Sequence, residues 1–146
     1  MVTSQRDLKI RETMDTDEFG AWLADLVQHH PSSAHAGEPV EPHHLVLTDE
    51  IGDWIGGISY TLRGGVANLV LIGVAPHERG QGHSLRLLEA FEAAAIDRGA
   101  HLLEFSTDEL RGEAFLAALG WRRVLARRNF VGHRTWYILE KPLPGA

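Results

Sequence analysis

The residues whose types and spacing could do chemistry lie in one short turn, Arg79-Gly80-Gln81-Gly82-His83-Ser84. The turn follows an apolar segment and runs directly into a segment with apolar residues at helical spacing. Small residues let the backbone approach a ligand closely, and the first amides of a helix have no partner within the helix. Together with the helix dipole, such amides favour a phosphate or a pyrophosphate. The alternative is a plain glycine turn between a strand and a helix.

Two familiar phosphate-binding patterns do not fit this turn. A dinucleotide-binding fingerprint would have a third glycine three residues after Gly82, where the sequence has Leu85. A P-loop would end in Gly-Lys-Ser/Thr, whereas Gly82 is followed by His83 and Ser84. The turn therefore has to be interpreted from the segments that position it.

Alternating or continuous apolar runs, bounded by turn residues, recur along the chain. They predict strands over residues 7–13, 43–50, 53–62, 66–74, 101–107, 121–130 and 134–143. The strands between residues 43 and 74 are joined by short turns, which is typical of an antiparallel meander. A strand–helix–strand unit over residues 66–107 predicts one parallel crossover.

Apolar residues at helical spacing predict helices over residues 15–30, 81–98 and 108–120. Asp15 or Thr16 is expected to cap the first helix and Asp108 the third. Gly99 is expected directly after the end of the second helix. The expected buried stripe of the second helix is Leu85, Leu88, Phe91 and Ala95.

Residues 72–107, IGVAPHERGQGHSLRLLEAFEAAAIDRGAHLLEFST, resemble the acetyl-CoA-binding core of the GNAT superfamily of acyl-CoA-dependent N-acetyltransferases. The family has an Arg/Gln-x-x-Gly-x-Gly/Ala turn after a strand that ends in Val-x-Pro. Arg79 and Gly82 match this turn and Val74-Ala75-Pro76 matches the strand end, while Ser84 replaces the final Gly/Ala.

Two later segments extend the resemblance to roughly residues 45–143. FLAALGW, residues 115–121, is similar to the Phe-Tyr-x-x-Leu-Gly-Phe/Tyr segment of the family. VGHRTWYILEKPL, residues 131–143, is similar to the ending of one bacterial subgroup. The resemblance implies a GNAT-like α/β fold. This would be a single three-layer domain over residues 1–146, with a central mixed, mainly antiparallel sheet flanked by helices and an acetyl-CoA-binding core at about 66–120.

The resemblance also implies where acetyl-CoA binds. The pyrophosphate of coenzyme A would lie on the turn formed by Arg79, Gly80, Gln81, Gly82, His83 and Ser84. A bulge in the preceding strand, which Gly73 would permit, frees backbone amides in the family. Amides near Ile72 and Val74 are the candidates for the thioester oxygen and the pantetheine arm. A regular strand is the alternative.

Acyl transfer to an alkylamine requires that a proton be taken from the amine, whose pKa is about 10.4. Glu104 is one candidate base, with an ordinary, partly exposed strand residue as the alternative. Asn68 lies near the position where some relatives have a glutamate base, and an amide cannot serve as one. The tyrosine that many relatives use as general acid aligns with Leu116, which has no proton to donate.

His133, Ser106 and Tyr137 are the candidates to replace that tyrosine as the acid. His133 matches the Gly-His of the bacterial subgroup, and a structural role in a terminal hairpin is its alternative. Because a thiol has a pKa of about 8.5, a thiolate can leave without such help.

Composition and charge exclude several kinds of site. The 146 residues contain no cysteine, so disulfides, thiolate catalysis and cysteine-ligated zinc are excluded. Fourteen basic and twenty acidic side chains give a formal charge of −6, which disfavours nucleic acid and anionic membranes as partners. The N-terminal segment has neither a signal-peptide core nor a membrane-length apolar run, so a cytoplasmic protein is expected.

Histidines at positions 29, 30, 35, 43 and 44 raise the possibility of a zinc site. Their spacing matches no metal-binding helix pair, and no cysteine or Glu-x-x-His supports them, so solvated histidines and no metal are expected.

The resemblance therefore implies an N-acetyltransferase that moves the acetyl group of acetyl-CoA to a primary amine of a small molecule or peptide, and it suggests a homodimer. The alternative is a CoA-binding sensor or partner protein with lost or weak catalysis. This alternative is based on Leu116, which cannot act as a general acid. A histidine-based metal module is a third hypothesis.

Overall fold

The computed structural model describes residues 6–28 and 39–144 of the chain. Its helices are α1 (Thr16–Gln28), α2 (His83–Asp97) and α3 (Glu113–Ala118). Its strands are β1 (Glu41–Thr48), β2 (Trp54–Arg63), β3 (Val66–Val74), β4 (Leu102–Thr107), β5 (Arg122–Arg127) and β6 (Trp136–Pro142). The chain separates into two compact units, one that ends at Glu38 and contains α1, and one that begins at Pro39 and contains the sheet.

In the first unit, α1 begins where the sequence predicts. The amide of Glu18 donates to Asp15 Oδ1 at 3.0 Å, which satisfies one of the free amides at the helix start. Asp17 and Glu18 add negative charge to the first turn, where the helix dipole favours it. No helix among residues 6–28 and 39–144 is long and apolar enough to cross a membrane.

In the second unit, six strands form one mixed sheet with the order β1-β2-β3-β4-β6-β5. The strands β1, β2 and β3 form an antiparallel meander, β3 and β4 pair in parallel, and β6 pairs antiparallel with both β4 and β5. The helix α2 connects the two parallel strands. The predicted meander, the crossover and the mixed, mainly antiparallel sheet are therefore confirmed.

The core lies between α2 and one face of the sheet. Tyr60 on β2 packs against Phe91 on α2 with ring centroids 5.0 Å apart, and both side chains are almost fully buried. On the same face Leu103 and Leu139 are also fully buried. We call this the helix face of the sheet. Because side chains alternate along a strand, the residues between these point to the opposite face.

The buried stripe of α2 differs from the prediction at one position. Leu87, Leu88, Phe91 and Ala95 are buried, whereas the predicted Leu85 is only partly so. The helix begins at His83 rather than Gln81, because Gly82 has a left-handed conformation with φ 79°. Gly99 has φ 83° directly beyond the helix, as expected for the residue after its end.

Residues 7–13 do not form a strand, so this prediction is wrong. Leu8 and Ile10 are exposed, and no described strand pairs with the segment. Alternation of apolar and polar residues shows that a segment suits a sheet face. A strand forms only where its backbone groups also find hydrogen-bonding partners.

The third helix is shorter than predicted, and Asp108 does not cap it. The Thr107 hydroxyl donates to the carbonyl of Glu109 at 3.2 Å and accepts from the amide of Glu109 at 3.1 Å. Such local hydrogen bonds compete with helix formation. The Asp108 carboxylate instead pairs with Arg134 at 2.8 Å, and Gly112 occupies the N-cap of α3.

Candidate functional site

The site begins where β3 and β4 separate. These parallel strands pair from Val66 and Leu102 up to Leu69 and Phe105, and no further pair follows. Beyond Leu69, β3 continues to Val74 with β2 as its partner. From Val70 to Val74, no described strand lies against the other edge of β3. The sheet therefore has an open edge in its middle, which leads from Leu69 towards the glycine turn.

A bulge coincides with this separation. In the pairing of β2 with β3, Tyr60 lies opposite Leu69 and Ser59 lies opposite Leu71, so Val70 is the extra residue. A bulge bends a strand and increases its twist, which turns β3 away from β4. The sequence points to Gly73 as the irregular position, and this is wrong, since Gly73 lies in regular register opposite Gly57.

Two hydrogen bonds fix the direction of the amides on the open edge. The amide of Ala75 donates to the carbonyl of Ile55 at 2.8 Å, towards β2. The carbonyl of Val74 points the other way and accepts from Arg79 Nε at 3.3 Å. Because these directions alternate along a strand, the amides of Val74 and Ile72 face the open edge. They are the two amides that the sequence analysis selects.

The glycine turn continues from this edge. Gly80 and Gly82 both have φ 79°, a conformation that side chains other than glycine rarely adopt. Gly82 is the N-cap of the 15-residue α2, and no side chain caps the first amides of that helix. Arg79, which contacts Val74, joins the turn to the end of β3. The turn thus presents unpartnered helix amides next to a guanidinium.

A cavity of about 320 Å³ lies at the turn. We call it the first cavity. Its lining includes five of the six predicted turn residues and also Phe115 of α3, and it comprises Val74, Glu78, Arg79, Gly80, Gly82, His83, Ser84, Leu85 and Phe115. The remaining predicted turn residue, Gln81, is exposed and does not line it.

Glu78 and His83 form a pair in the wall of the first cavity that the sequence analysis does not identify. His83 Nε2 lies 3.3 Å from Glu78 Oε2, and both side chains are mostly buried. His83 Nδ1 is buried and has no hydrogen-bond partner among the described residues. At this distance the Glu78 carboxylate can accept a hydrogen bond from Nε2 of the ring.

A second cavity, of about 330 Å³, lies at the other end of the open edge. It is enclosed by β4, β6, the loop before α3 and α3 itself. Its apolar walls are Phe105, Leu110, Leu116 and Leu139, and Thr107, Glu109, Arg111, Gly112 and Glu113 complete the lining. Leu116, at the position aligned with the tyrosine of many relatives, is 9% exposed. Among the wall residues only Leu116 is identified from the sequence, because the proximity of residues 105–116 to Leu139 of β6 leaves no local pattern.

The charges at the rim of the second cavity are paired with one another. Arg123 donates to Glu113 through Nε at 3.0 Å and through Nη2 at 2.6 Å. This hydrogen bonding raises the pKa of the Arg123 guanidinium above its usual value. Arg111 Nε lies 2.7 Å from Glu109 Oε1.

Glu104, the candidate base, lies beside Asn68 at the last pairs before the strands separate. Both side chains are half-buried and point to the face opposite α2, since Leu69 and Leu103 point towards it. Asn68 Oδ1 is buried and has no hydrogen-bond partner among the described residues. Ser106 lies on the same face, one alternation beyond Glu104.

The structure separates the two other candidate acids. Tyr137 lies opposite Thr107 in the pairing of β4 with β6, on the helix face beside the second cavity, with the Arg123 guanidinium 4.9 Å from its ring centroid. His133 lies in the turn between β5 and β6, where its Nδ1 is 3.1 Å from Asn129 Oδ1. It has φ 61°, so this turn holds it in a strained conformation.

A third cavity, of about 460 Å³, opens on the face opposite α2. His44, Val46, Ser59, Trp54 and Leu71 contribute side chains to it. His43, next to His44, stacks on Tyr60 with centroids 5.1 Å apart. Within residues 6–28 and 39–144, no three histidine, aspartate or glutamate side chains are grouped to hold a metal ion. The histidines at positions 29, 30 and 35 lie outside the described residues.

Residues 8–121 match the family model of the acetyltransferase (GNAT) family. No curated protein matches the sequence, so further comparison rests on solved structures. A crystal structure of an acetyltransferase from Bacillus cereus is similar with a TM-score of 0.72 and 17% identity, covering 94% of this chain and 98% of that chain.

Two further structures carry more specific names. The ribosomal-protein-S18-alanine N-acetyltransferase from Escherichia coli has a TM-score of 0.65 and 20% identity, covering 93% of this chain and 94% of that chain. A GNAT acetyltransferase from Elizabethkingia anophelis with acetyl-CoA bound has a TM-score of 0.64 and 18% identity, covering 70% and 77% respectively. Likeness at these identities concerns the fold, and the predicted GNAT-like fold is confirmed.

Proposed function

Because this chain belongs to the GNAT family of acetyltransferases, we propose that it moves the acetyl group of acetyl-CoA to a primary amine of a small molecule or peptide. The observation that carries the proposal is the open edge of β3. From Val70 to Val74 this edge faces no described strand, and it joins the glycine turn at one end to the Leu69–Phe105 pair at the other. An extended thioester-bearing arm would find backbone donors along it and an anion site at its end.

The glycine turn is the proposed site for the pyrophosphate. The free amides at the start of α2 point outwards, and the dipole of a 15-residue helix adds to their attraction for an anion. Arg79 supplies a full positive charge beside them. Gly80 and Gly82 keep side chains out of the approach, while Gln81, His83 and Ser84 contribute backbone amides.

The amides of Ile72 and Val74 are the proposed donors to the arm and to the thioester carbonyl. In acyl transfer, the amine nitrogen attacks the carbonyl carbon, negative charge develops on the oxygen, and the C–S bond breaks to release a thiolate. A backbone N–H held by a sheet can stabilise that oxygen without reorganising. The donors at the open edge are held in place by the pairing of β3 with β2.

Glu104 is the proposed acceptor of the amine proton. It lies on the face opposite α2, next to Asn68, whose unpartnered Oδ1 could accept a hydrogen bond from the amine. The amine would then approach through the third cavity, on the opposite face of the sheet from the first and second cavities. Asn68 cannot itself take a proton, so its role would be positioning.

Tyr137 is the proposed proton donor to the thiolate, with Ser106 and His133 as alternatives. Two neighbours of Tyr137, Thr107 opposite it and Leu139 two residues along β6, line the second cavity. His133 is less suited, since its ring nitrogen is engaged by Asn129.

Leu116 favours a second candidate function, a CoA-binding sensor or partner with weak catalysis. Leu116 fills the aligned tyrosine position and cannot donate a proton. Loss of a general acid typically costs on the order of 10² to 10⁴ in rate, which would leave binding unaffected.

The first test is thermal unfolding with and without acetyl-CoA. Ligand at 100 times its dissociation constant should add about 2.7 kcal/mol to the free energy of unfolding, or roughly 5–10 °C in Tm. An Arg79→Ala, Gly82→Asp double variant should lose this shift. Gly52→Asp is the matched control for backbone strain, because Gly52 has φ 91° and lies outside the turn. A wild type that shows no shift at saturating ligand would refute acetyl-CoA binding.

The second test separates the enzyme from the sensor. A panel of primary amines is incubated with acetyl-CoA, and free thiol is measured with a chromogenic disulfide. Amine-dependent thiol release that falls at least tenfold in Glu104→Gln supports the enzyme and its base. Binding without thiol release for any amine of the panel supports the sensor.

A homodimer in a bacterial cytoplasm completes the proposal. The strand β5 is at one edge of the sheet, and all six of its residues are exposed. Such an edge can pair with a second copy of itself. Sedimentation velocity should give twice the mass of 16.2 kDa, and an Ala126→Pro variant in β5 should return it to the monomer.

A further inference from the structure

The second cavity is larger and more apolar than an acetyl group requires. Its volume is about 330 Å³, and its side walls are the apolar residues Phe105, Leu110, Leu116 and Leu139. An acetyl group has one methyl carbon beyond its carbonyl. We infer that this cavity is an acyl subsite for short apolar acyl groups longer than acetyl, such as propionyl and butyryl. The inference rests on the proposed use of acyl-CoA.

The second cavity lies where an arm bound along the open edge of β3 would end. An arm that starts at the glycine turn and follows β3 past Val74 and Ile72 reaches Leu69 after about 16 Å, at roughly 3.3 Å per residue. Leu69 is paired with Phe105, and Phe105 is a wall of the second cavity. The reactive end of the arm therefore arrives at the entrance of this cavity.

The helix α3 joins the two cavities. Phe115 lines the first and Leu116 lines the second. Consecutive residues point about 100° apart around a helix axis, so one short helix contributes to both. A ligand that occupies the first cavity and continues along the open edge towards Leu69 thus approaches the cavity that Leu116 lines.

The polar side chains that line the second cavity are already paired with partners. The Thr107 hydroxyl both donates to and accepts from the backbone of Glu109. Glu113 is held by Arg123, and Glu109 by Arg111. Among the described lining residues there is no unpaired cation that would bind an acyl group ending in a carboxylate. The cavity therefore favours a hydrocarbon chain over a succinyl or malonyl group.

Leu116 sets the length that the cavity accepts. It is 9% exposed and lines the cavity together with Phe105 and Leu139. A tyrosine there would add a ring and a hydroxyl to the space in which the chain would lie. The leucine thus combines two consequences, the loss of a proton donor and the gain of apolar volume.

The test measures affinity for a series of acyl-CoA molecules by isothermal titration calorimetry, and it needs no acceptor. Acetyl-, propionyl-, butyryl- and succinyl-CoA are titrated into the wild type. Affinity should rise up to about fourfold for each added methylene, which corresponds to ~0.8 kcal/mol per buried CH₂. Succinyl-CoA should bind no more tightly than acetyl-CoA.

Two variants narrow the cavity and one controls for them. Leu116→Tyr should lose the preference for butyryl-CoA over acetyl-CoA. If Leu116→Tyr does not fold, Leu110→Trp serves the same purpose from the more exposed loop. Ala118→Tyr places the same ring on an exposed position of α3, and it should keep the butyryl preference.

The outcomes separate this inference from the proposed function. Acetyl-CoA that binds as tightly as butyryl-CoA, or a preference unchanged in Leu116→Tyr or Leu110→Trp, would overturn the acyl subsite and leave acetyl-CoA binding intact. If succinyl-CoA bound more tightly than acetyl-CoA, the inference that the second cavity selects apolar acyl groups would be overturned. If neither free CoA nor any acyl-CoA binds, the proposed function fails together with the subsite.

Discussion

The first and second cavities have similar volumes, about 320 and 330 Å³, and share α3, yet they are built from different parts of the chain. The first combines two glycines in left-handed conformations and free helix amides with side chains, among them the Arg79 guanidinium. The second is made by apolar side chains whose neighbouring polar groups are paired with one another. Recognition in the first should depend on charge and backbone shape. In the second it should depend on side-chain volume.

The largest expected effect is on stability and comes from a substitution in the second cavity. Leu116→Ala removes a buried side chain from the packing between α3 and the sheet, and should lower the free energy of unfolding by about 2–3 kcal/mol. The lower part of the usual range applies because Leu116 already borders a cavity. Chemical denaturation measures this loss. The affinity of the folded variant for acetyl-CoA should change less than threefold, and a tenfold loss would contradict the division between the cavities.

An effect of similar size, on ligand affinity, is expected from a substitution in the first cavity. Gly82→Asp adds a carboxylate at the start of α2, where the proposed ligand is anionic, and juxtaposed like charges cost several kcal/mol. Acetyl-CoA affinity should fall at least 100-fold by calorimetry, with Gly52→Asp as the strain control. Equal affinity losses in the two variants would mean that strain, not charge at the turn, is responsible.

These two cavities also differ in how far the sequence predicts them. Apart from Phe115, the first is lined only by residues between 74 and 85, so the turn and α2 could be located from a few spaced residues. The direction of the Ile72 and Val74 amides is implied by family resemblance and follows physically only from the register of β3 against β2. Register depends on the Val70 bulge, and nothing in the local pattern distinguishes Val70 from Gly73.

The second cavity is lined by residues between 105 and 116 and by Leu139 of β6, and only Leu116 could be selected beforehand. The errors in the fold have related causes. Residues 7–13 alternate like a strand but have no described partner, and Asp108 resembles an N-cap but is taken by Arg134. In each case the local sequence is compatible with two structures, and a contact with a distant residue, or the absence of one, decides which structure forms.

Substitutions of Arg79 should have a smaller effect on acetyl-CoA binding. Comparing alanine with lysine at this position separates the contribution of its charge from that of its geometry. Arg79→Ala should weaken acetyl-CoA binding by roughly 10- to 30-fold, because Arg79 is exposed and its hydrogen bond to a charged group should contribute about 1.5–2 kcal/mol, the lower part of the usual range. Arg79→Lys keeps the charge and loses the fork that reaches the Val74 carbonyl. It should recover about half of the lost binding free energy. Full recovery in the lysine variant would show that the Val74 contact is irrelevant to binding.

The smallest predicted effect is a gain in acetyl-CoA affinity, whereas the substitutions at Gly82 and Arg79 should lower it. Glu78 places a carboxylate in the wall of a cavity proposed to hold an anion, and His83 is its partner at 3.3 Å. Glu78→Gln keeps the shape and the contact with His83 but removes the charge. At a separation of about 8 Å and an effective dielectric constant of about 60, this should strengthen acetyl-CoA binding by roughly threefold.

Glu109→Gln is the matched control, because Glu109 lies in the lining of the second cavity and pairs with Arg111. Its removal should leave acetyl-CoA affinity unchanged within twofold. Salt distinguishes the two cavities further, since screening should reduce the gain from Glu78→Gln as ionic strength rises. If Glu109→Gln strengthened binding as much as Glu78→Gln, the anion would not be localised at the glycine turn. The contrast between a charge-selective first cavity and a volume-selective second one would then fail.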